Sequence, residues 1–258
     1  MSGESELRSV LIVGGTSGVG LATARRFAAD LATRVTIVGR DPARGEAARE
    51  ALVAEFPAVG VALLTGDANR AEDAGRIVAE TLRLHGHIDT LVVATVGVAL
   101  PDLLAEIPTG RIAEDLMQQA LGPMLMARAV LPAMRARQSG TIITIASDAG
   151  KVATPGETII GAAMAAIIMF SRTLAMEAKR DGIRVNCVTP SLIRGTATYD
   201  RIFAHPFAAR LFEKAAKMAL LGVAETEDLA ALIHFLASPG AARITGQAIS
   251  VNGGISAQ

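Results

Sequence analysis

The amino-acid sequence predicts an α/β fold in which a doubly wound parallel sheet of seven strands carries helices on both faces. Three observations support this prediction. Short apolar runs alternate along the chain with longer segments of helical periodicity, which is the pattern of strand–helix–strand units. The strand-like runs are apolar at nearly every position, as in strands that are covered on both faces. Apolar residues make up 51% of the chain, which is enough for a large core.

Strands and helices are predicted in alternation along the whole chain. The strands are predicted at residues 10–13, 35–39, 61–65, 91–96, 141–146, 183–188 and 247–251. The helices are predicted at residues 20–30, 42–56, 71–83, 111–137, 157–180 and 225–237. We interpret residues 1–258 as one domain, because no linker, internal repeat or low-complexity segment interrupts this alternation.

Each element has its own signal in the sequence. The first helix places Leu21 and Phe27 on one face, and Pro42 begins the second helix in its first turn. The fourth strand is the most continuous apolar run of the chain. Gly182 follows the end of the long fifth helix, as helix-ending glycines do. Residues 191–224 are expected to be irregular, with weak helical pieces.

Composition excludes several classes of protein. Lys plus Arg and Asp plus Glu both number 25, so the net charge is zero and no basic surface for nucleic acid or anionic lipid is expected. The single cysteine, Cys187, excludes a disulfide framework and indicates the cytoplasm. The longest uncharged stretches, residues 90–100 and 158–171, are too short to predict a membrane span. No metal site is expected, because the four histidines lack ligand spacing; they are His85, His87, His205 and His234.

A glycine-rich segment between the first strand and the first helix predicts a nucleotide-binding loop. Glycines allow the backbone to approach a pyrophosphate closely, and the helix N-terminus offers it free N–H groups. The residues assigned to this loop are Gly14, Thr16, Ser17, Gly18, Val19 and Gly20. An alternative is a strand–helix turn that needs glycines for its shape alone.

Residues at the ends of the second and third strands refine the cofactor prediction. Arg40 follows the second strand, where an arginine suits the 2′-phosphate of NADP(H) and an acid suits the free ribose of NAD. The neighbouring Asp41 makes this assignment ambiguous, and Arg40 as a solvated residue is the alternative. Asp67 and Ala68 follow the third strand, where the Asp67 carboxylate is expected to face an adenine amino group.

Taken together, these motifs resemble those of the short-chain dehydrogenase/reductase family over essentially the whole chain. The resemblance also includes Ser147, the segment 183–190 and the closing segment 245–254, which reads TGQAISVNGG. It implies a Rossmann fold with sheet order 3-2-1-4-5-6-7 and NAD(P)-dependent chemistry on alcohols or carbonyls. It also implies an oligomer formed through two long helices, here near residues 111–137 and 157–180.

The chain departs from the family pattern where that chemistry takes place. The family's catalytic serine is matched by Ser147, but Ile160 stands at the tyrosine position and Met164 at the lysine position. Gln119 stands at the position of the family's asparagine, and the fourth-strand motif is replaced by residues 93–96. Isoleucine cannot exchange a proton, and that exchange contributes roughly 10²–10⁴-fold to a rate. We therefore interpret Ser147 as a remnant of the active site.

Three other side chains are candidates for a replacement acid or base. Tyr199, the only tyrosine, lies in the segment that covers the substrate in the family. Lys151 and Asp148 lie close to Ser147 in the sequence. For each of these residues an ordinary structural role is the alternative.

The fifth predicted helix is apolar on nearly every side, and helix 111–137 is its natural companion. A helix that is apolar all round is buried all round, so another subunit is expected to cover the face that the sheet leaves free. Burial entirely within its own domain is the alternative. The mean hydropathy of +0.40 agrees with surface hidden in an oligomer.

These observations leave three hypotheses for the function. The first is a non-catalytic subunit, paired with a homologous active subunit in a hetero-oligomeric alcohol or hydroxyacyl-CoA dehydrogenase. The second is an active NADP(H)-dependent oxidoreductase or cyclase, as a hetero- or homo-oligomer, with a displaced proton donor. The third is a regulator that senses NADP(H). Loss of the tyrosine and lysine favours the first, and the glycine-rich loop with Arg40 favours the second.

Overall fold

The computed structural model describes residues 7–257 and contains a central parallel sheet and a small second sheet. The strands are β1 (Arg8–Val13), β2 (Thr33–Gly39), β3 (Val61–Thr65), β4 (Thr90–Val93), β5 (Gly140–Ile145), β6 (Ile183–Pro190), β7 (Ile193–Arg194), β8 (Ala224–Glu225) and β9 (Ala248–Val251). The helices are α1 (Gly18–Ala28), α2 (Pro42–Glu55), α3 (Ala71–His85), α4 (Ile112–Arg137), α5 (Thr158–Ala178), α6 (Ala197–Ala204), α7 (Pro206–Met218) and α8 (Thr226–Ala237).

The central sheet has seven strands in the order β3-β2-β1-β4-β5-β6-β9, and every neighbouring pair is parallel. This confirms the predicted order, with β9 as the seventh strand. The order reverses between β1 and β4, and ligands of doubly wound sheets bind at the carboxyl ends of the strands beside such a reversal. The short strands β7 and β8 pair with each other and form the second sheet.

Apolar side chains from helices cover both faces of the sheet. On one face Ile77 of α3, Met126 of α4 and Leu174 of α5 pack in one buried cluster with the strands. On the other face Phe27 of α1 and Ile233 of α8 belong to a second cluster. Burial on both faces explains why the strand sequences are continuously apolar.

Two expectations about secondary structure are wrong. The fourth strand ends at Val93 rather than residue 96. There the chain turns toward the glycine-rich loop, and the Ala94 N–H donates to the Val13 carbonyl at 2.8 Å. The segment 191–224 is more regular than expected, because the helical pieces predicted there are the ordered helices α6 and α7, and Phe212 of α7 is buried in a small cluster of its own.

Helix α5 keeps an exposed apolar face within the single chain. Ile167 and Leu174 are buried against the sheet, whereas Met169 and Met176 are 58% and 61% exposed. Residues 158–181 form a helix that is long and apolar enough to cross a membrane, judged by length and composition alone. Packing against α4 and β6 gives this helix another reason to be apolar.

Candidate functional site

The loop between β1 and α1 has a backbone that only glycine fits. Gly14 and Gly18 adopt φ values of +80° and +50°, which side chains other than glycine rarely adopt. A Cβ atom on Gly20 would lie 2.1 Å from the Gly14 carbonyl oxygen, and one on Gly14 would lie 2.6 Å from the Ala94 oxygen. The loop therefore brings its backbone close to the end of β4 and forms part of the surface at the carboxyl edge of the sheet.

The N-terminus of α1 faces this surface. Ser17 is the N-cap residue, and its exposed side chain makes no capping hydrogen bond. The N–H groups of the first helical turn, Gly18, Val19 and Gly20, have no partner within the helix and lie at the positive end of its dipole. Thr16 is buried against Gly39 of β2 and fixes the loop on the sheet. This backbone fits the pyrophosphate of a dinucleotide cofactor.

The two segments predicted to hold the adenosine half of the cofactor lie side by side. The Gly66 N–H donates to the Gly39 oxygen at 3.0 Å, which joins the ends of β3 and β2. Arg40 follows directly and is exposed to solvent. Asp67 accepts a hydrogen bond from the Asn69 N–H at 3.0 Å, and Ala68 is buried beneath it. The structure thus brings Arg40 and Asp67 to the same edge as the glycine loop.

A cleft of about 320 Å³ lies between the segment after β4, the starts of α4 and α5, and His205 before α7. Its walls mix apolar and charged side chains. They include Val98, Leu100, Asp102, Glu106, Arg111, Asp115, Ile159, Ile160 and His205. A concave site with a few polar groups near a cofactor loop is the usual form of a substrate pocket.

The residues at the family's catalytic positions cannot exchange protons in this cleft. Ile160 lines the cleft, and Met164 lies one turn further along α5 in an apolar cluster, 7% exposed. Ser147 follows β5, and its Oγ atom accepts a hydrogen bond from the Ala149 N–H at 3.2 Å. Gln119 is buried, and its Oε1 atom accepts from the Gly97 N–H at 3.0 Å.

Asp148 and Lys151 do not lie among the residues that line the cleft. They form an ion pair of 3.4 Å in which both side chains are at most 8% exposed. Ser250 and Ser256 donate hydrogen bonds to the Asp148 carboxylate at 2.9 Å each, and Asn252 donates another. This buried network holds both charges beside β9, so the structure favours the alternative of a structural role for Asp148 and Lys151 over a role as replacement catalysts.

Tyr199 also lies away from the cleft lining. Its ring packs on Phe203 with the ring centroids 4.5 Å apart, in the apolar cluster that holds α6 and α7 together. Among residues 7–257, no group of three or more histidine, cysteine or acidic residues is arranged to hold a metal ion.

The sequence interpretation missed Glu157. This residue is the N-cap of α5 and stands three positions before Ile160. Burial raises its pKa to about 7, while a hydrogen bond with Thr154 lowers it by a smaller amount. A glutamate at the start of a helix is ordinarily solvated, so only its place in the fold distinguishes it. Its pKa leaves it able to give or take a proton near neutral pH.

Comparisons with known proteins agree with this arrangement. A family model described as enoyl-(acyl carrier protein) reductase matches residues 13–256. The dehydrogenase/reductase SDR family member 4 of Pongo abelii is 32% identical over 95% of this chain and 86% of its own length. A 3-oxoacyl-[acyl-carrier-protein] reductase of Synechocystis sp. is 32% identical over 95% of both chains.

Solved structures show the same fold. A short-chain type dehydrogenase/reductase from Mycobacterium ulcerans superposes with a TM-score of 0.88 at 26% identity, over 96% of this chain and 89% of that one. The chain therefore belongs to the short-chain dehydrogenase/reductase family.

Proposed function

We propose that this chain binds NADP(H) and is an oxidoreductase or cyclase of the cytoplasm that works without the family's tyrosine–lysine pair. The observation that carries the proposal is a glycine-rich loop with no room for side chains at positions 14 and 20, on the same edge of the sheet as a cleft of about 320 Å³. A chain that had kept only a scaffold role would need neither feature. The reductase names of its relatives agree with a reductive reaction.

The cofactor would be held by this chain's own groups. The N–H groups of Gly18, Val19 and Gly20 would bind the pyrophosphate, Arg40 the 2′-phosphate and Asp67 the adenine. A bound nicotinamide supplies or accepts hydride at a substrate carbon. The protein must then orient the substrate in the cleft and move a proton at its oxygen or nitrogen atom. Ser147 remains available to orient that atom, since its hydroxyl hydrogen is not used by its bond to Ala149.

The test combines binding with turnover by the purified chain alone. Calorimetric titration with NADPH, NADP⁺, NADH and NAD⁺ is expected to show micromolar affinity for the phosphorylated pair. NADPH oxidation is then followed with carbonyl and imine compounds. Turnover by the chain alone supports the proposal, whereas absence of cofactor binding at about millimolar concentration contradicts it.

A second candidate function is that of a non-catalytic subunit beside a homologous active one. Two observations favour it: Ile160 and Met164 remove the usual proton transfer, and Met169 and Met176 leave an apolar face on α5. A face of this kind suits a helix of a second subunit, whether a homologue or another copy. This candidate predicts that turnover requires a co-purified homologue and that the chain alone has none.

A further inference from the structure

Asp115 is a buried carboxylate in the wall of the cleft. It lies in the first turn of α4, one turn before Gln119, and the residue is only 6% exposed. An ionised side chain is costly to remove from water, so carboxylates buried to this degree are held by cations or hydrogen-bond donors. The contacts of Asp115 therefore indicate which charge the cleft can accept.

One of the two carboxylate oxygen atoms of Asp115 remains available to a ligand. The Arg111 guanidinium donates to Oδ1 at 3.0 Å, and the Arg111 side chain is 54% exposed. Within residues 7–257, Oδ2 accepts no hydrogen bond, yet it is not among the polar atoms that are sealed from solvent without a partner. Because Asp115 is otherwise buried and lines the cleft, the cleft is where Oδ2 meets solvent.

The charged residues around the cleft leave negative charge in excess. Asp102, Glu106 and Asp115 line it, and Arg111 is the one lysine or arginine among the described residues that do so. The Nδ1 atom of His205 is an acceptor that caps α7, and a ring in that state carries no charge. Water screens the half-exposed Arg111 more than it screens Asp115. The cleft is therefore suited to a positive ligand.

The rest of the cleft wall is largely apolar. Val98, Leu100, Ile159 and Ile160 line it, so it fits a ligand with a hydrocarbon body. Ile160 stands where the family's tyrosine would give a proton, and isoleucine has none to give. A substrate whose C=N bond already carries a positive nitrogen atom needs no proton donor, because addition of hydride to the carbon yields a neutral amine.

We propose that the cleft takes an iminium ion with an apolar ring body, and that Asp115 is the residue that selects this cation. The inference rests on the proposed function. The Asp115 carboxylate pairs with the positive nitrogen atom through Oδ2, and the same charge repels an anionic substrate. A C–H bond forms at the iminium carbon with hydride from a reduced nicotinamide, which is thereby oxidised, and the π electron pair becomes the nitrogen lone pair. No proton moves, so charge and electrons balance.

The test compares three fused-ring probes of similar size and different charge. N-methyl-3,4-dihydroisoquinolinium is a cation, 1-tetralone is neutral and 2-naphthoate is an anion. Each probe is titrated calorimetrically into the full chain with and without NADP⁺, a cofactor form that cannot reduce the cation. The wild type is expected to bind the cation at least about tenfold more tightly than 1-tetralone, and to bind 2-naphthoate most weakly.

Two substitutions have opposite expected effects. Asp115→Asn keeps an acceptor for Arg111 but removes the charge, so affinity for the cation is expected to fall about tenfold or more and affinity for 1-tetralone to change less than about threefold. Arg111→Ala removes the competing guanidinium, so affinity for the cation is expected to rise about threefold or more. A purely structural role of the pair predicts a loss in both variants.

The matched control is Glu114→Gln, which removes the same charge from the neighbouring residue of α4. Glu114 is exposed, accepts from the Gln118 side chain and is not among the residues that line the cleft. This variant is expected to leave the affinities for all three probes unchanged. A change in cation affinity equal to that of Asp115→Asn would overturn the selection by Asp115.

Turnover gives a second readout. The wild type is expected to oxidise NADPH with the cation as substrate. In Asp115→Asn the KM for the cation is expected to rise about tenfold or more, with kcat within about threefold, because the carboxylate binds the positive charge of the substrate and that charge is lost during the reaction.

The possible outcomes separate this inference from the proposed function. Equal affinity for the cation and 1-tetralone, tighter binding of 2-naphthoate, or unchanged cation affinity in Asp115→Asn overturns the selection by Asp115. Weaker cation binding by Arg111→Ala overturns it as well. The proposed function then stands on NADPH binding and on reduction of other carbonyl or imine compounds. Absence of NADPH binding, or selective binding of the cation without NADPH oxidation, overturns the proposed function and the iminium ion as its substrate.

Discussion

The Gly97 N–H donates a hydrogen bond to the Oε1 atom of Gln119, 3.0 Å away, and this bond joins the segment after β4 to helix α4. Gln119 is 4% exposed, and a Cβ atom on Gly97 would lie within 2.8 Å of its side chain. Gln119 stands where the resembled family has an asparagine that anchors a water in its proton relay. In this chain the longer amide side chain instead holds the segment after β4 against α4.

Replacing Gln119 with alanine is expected to destabilise the protein by about 1–3 kcal/mol, because the buried Gly97 N–H loses its acceptor. Urea denaturation of both proteins measures the difference. The control is Gln118→Ala, whose amide bonds only to exposed Glu114 and whose loss is expected to cost less than about 0.5 kcal/mol. Equal costs for the two variants would contradict the role assigned to Gln119.

Gly20→Ala is expected to lower NADPH affinity at least about tenfold, since its Cβ would lie 2.1 Å from the Gly14 oxygen and push the cradle open. Calorimetric titration checks the affinity. Gly75→Ala is the matched control, because beyond its chain neighbours and the backbone of α3 itself, no atom of the described residues lies within 4 Å of its Cβ position. That variant is expected to bind NADPH normally and to gain up to about 1 kcal/mol in stability.

Arg40→Ala is expected to weaken NADPH binding about tenfold and to leave NADH binding unchanged, because only NADPH has a 2′-phosphate for the guanidinium. The measurement is the ratio of the two dissociation constants. The control is Arg243→Ala, which removes the same charge from an exposed position in the segment before β9. If NADH affinity falls as much as NADPH affinity, Arg40 does not contact the 2′-phosphate.

Restoring the family's pair with Ile160→Tyr and Met164→Lys is not expected to create robust alcohol oxidation. Met164 packs with Ile167 and Cys187 in an apolar cluster, so a lysine there places an ammonium among apolar groups. The Gln119 Oε1 atom also accepts from the Gly97 N–H, a bond that holds this side chain against the segment after β4. NADP⁺ reduction with a panel of secondary alcohols is the measurement. Strong activity of the double variant would show that the cleft is otherwise intact for the family's chemistry.

Glu157 is expected to make stability fall as pH rises. Its pKa is about 7 in the folded protein and about 4.5 in the unfolded chain, so the folded state binds more protons between these values. Stability then decreases from about pH 4.5 to pH 7, by up to about 3 kcal/mol, and changes no further above that range. Denaturation of the wild type and Glu157→Gln across this range measures the effect. Parallel pH profiles would contradict the assigned pKa.

Most of the fold could be predicted from the sequence because each signal was local. The apolar runs predicted the strands, the glycine-rich loop predicted the position of the cofactor cradle, and the family resemblance implied the strand order that the structure has. The end of β4 was predicted three residues too late, because Ala94, Thr95 and Val96 are uncharged and continue the apolar run without being in a strand. Their path is set by contact with Gly14, a neighbour in space that periodicity cannot report.

The site was harder to predict than the fold because its chemistry depends on burial. Asp148 and Lys151 lie within four residues of Ser147 in the sequence. The side chains that hydrogen-bond to this ion pair come from residues more than 90 positions later, on and after β9. Glu157 carries no motif, and its pKa is raised by burial, which the sequence does not report. Contacts between segments that are distant in sequence determine which charged groups are buried in ion pairs and which remain able to exchange protons.

The ion pair between Asp148 and Lys151 has a consequence for the order of folding during synthesis. Its hydrogen bonds come from Ser250, Asn252 and Ser256, which leave the ribosome after every other strand of the sheet. Until then the Asp148 carboxylate and the Lys151 ammonium lack the hydrogen bonds that offset the cost of burying them. The outer edge of β6 also lacks its neighbouring strand, β9. The nascent chain can therefore assemble the cofactor-binding half first, whereas the far edge of the sheet must wait until residues 248–256 have been synthesised.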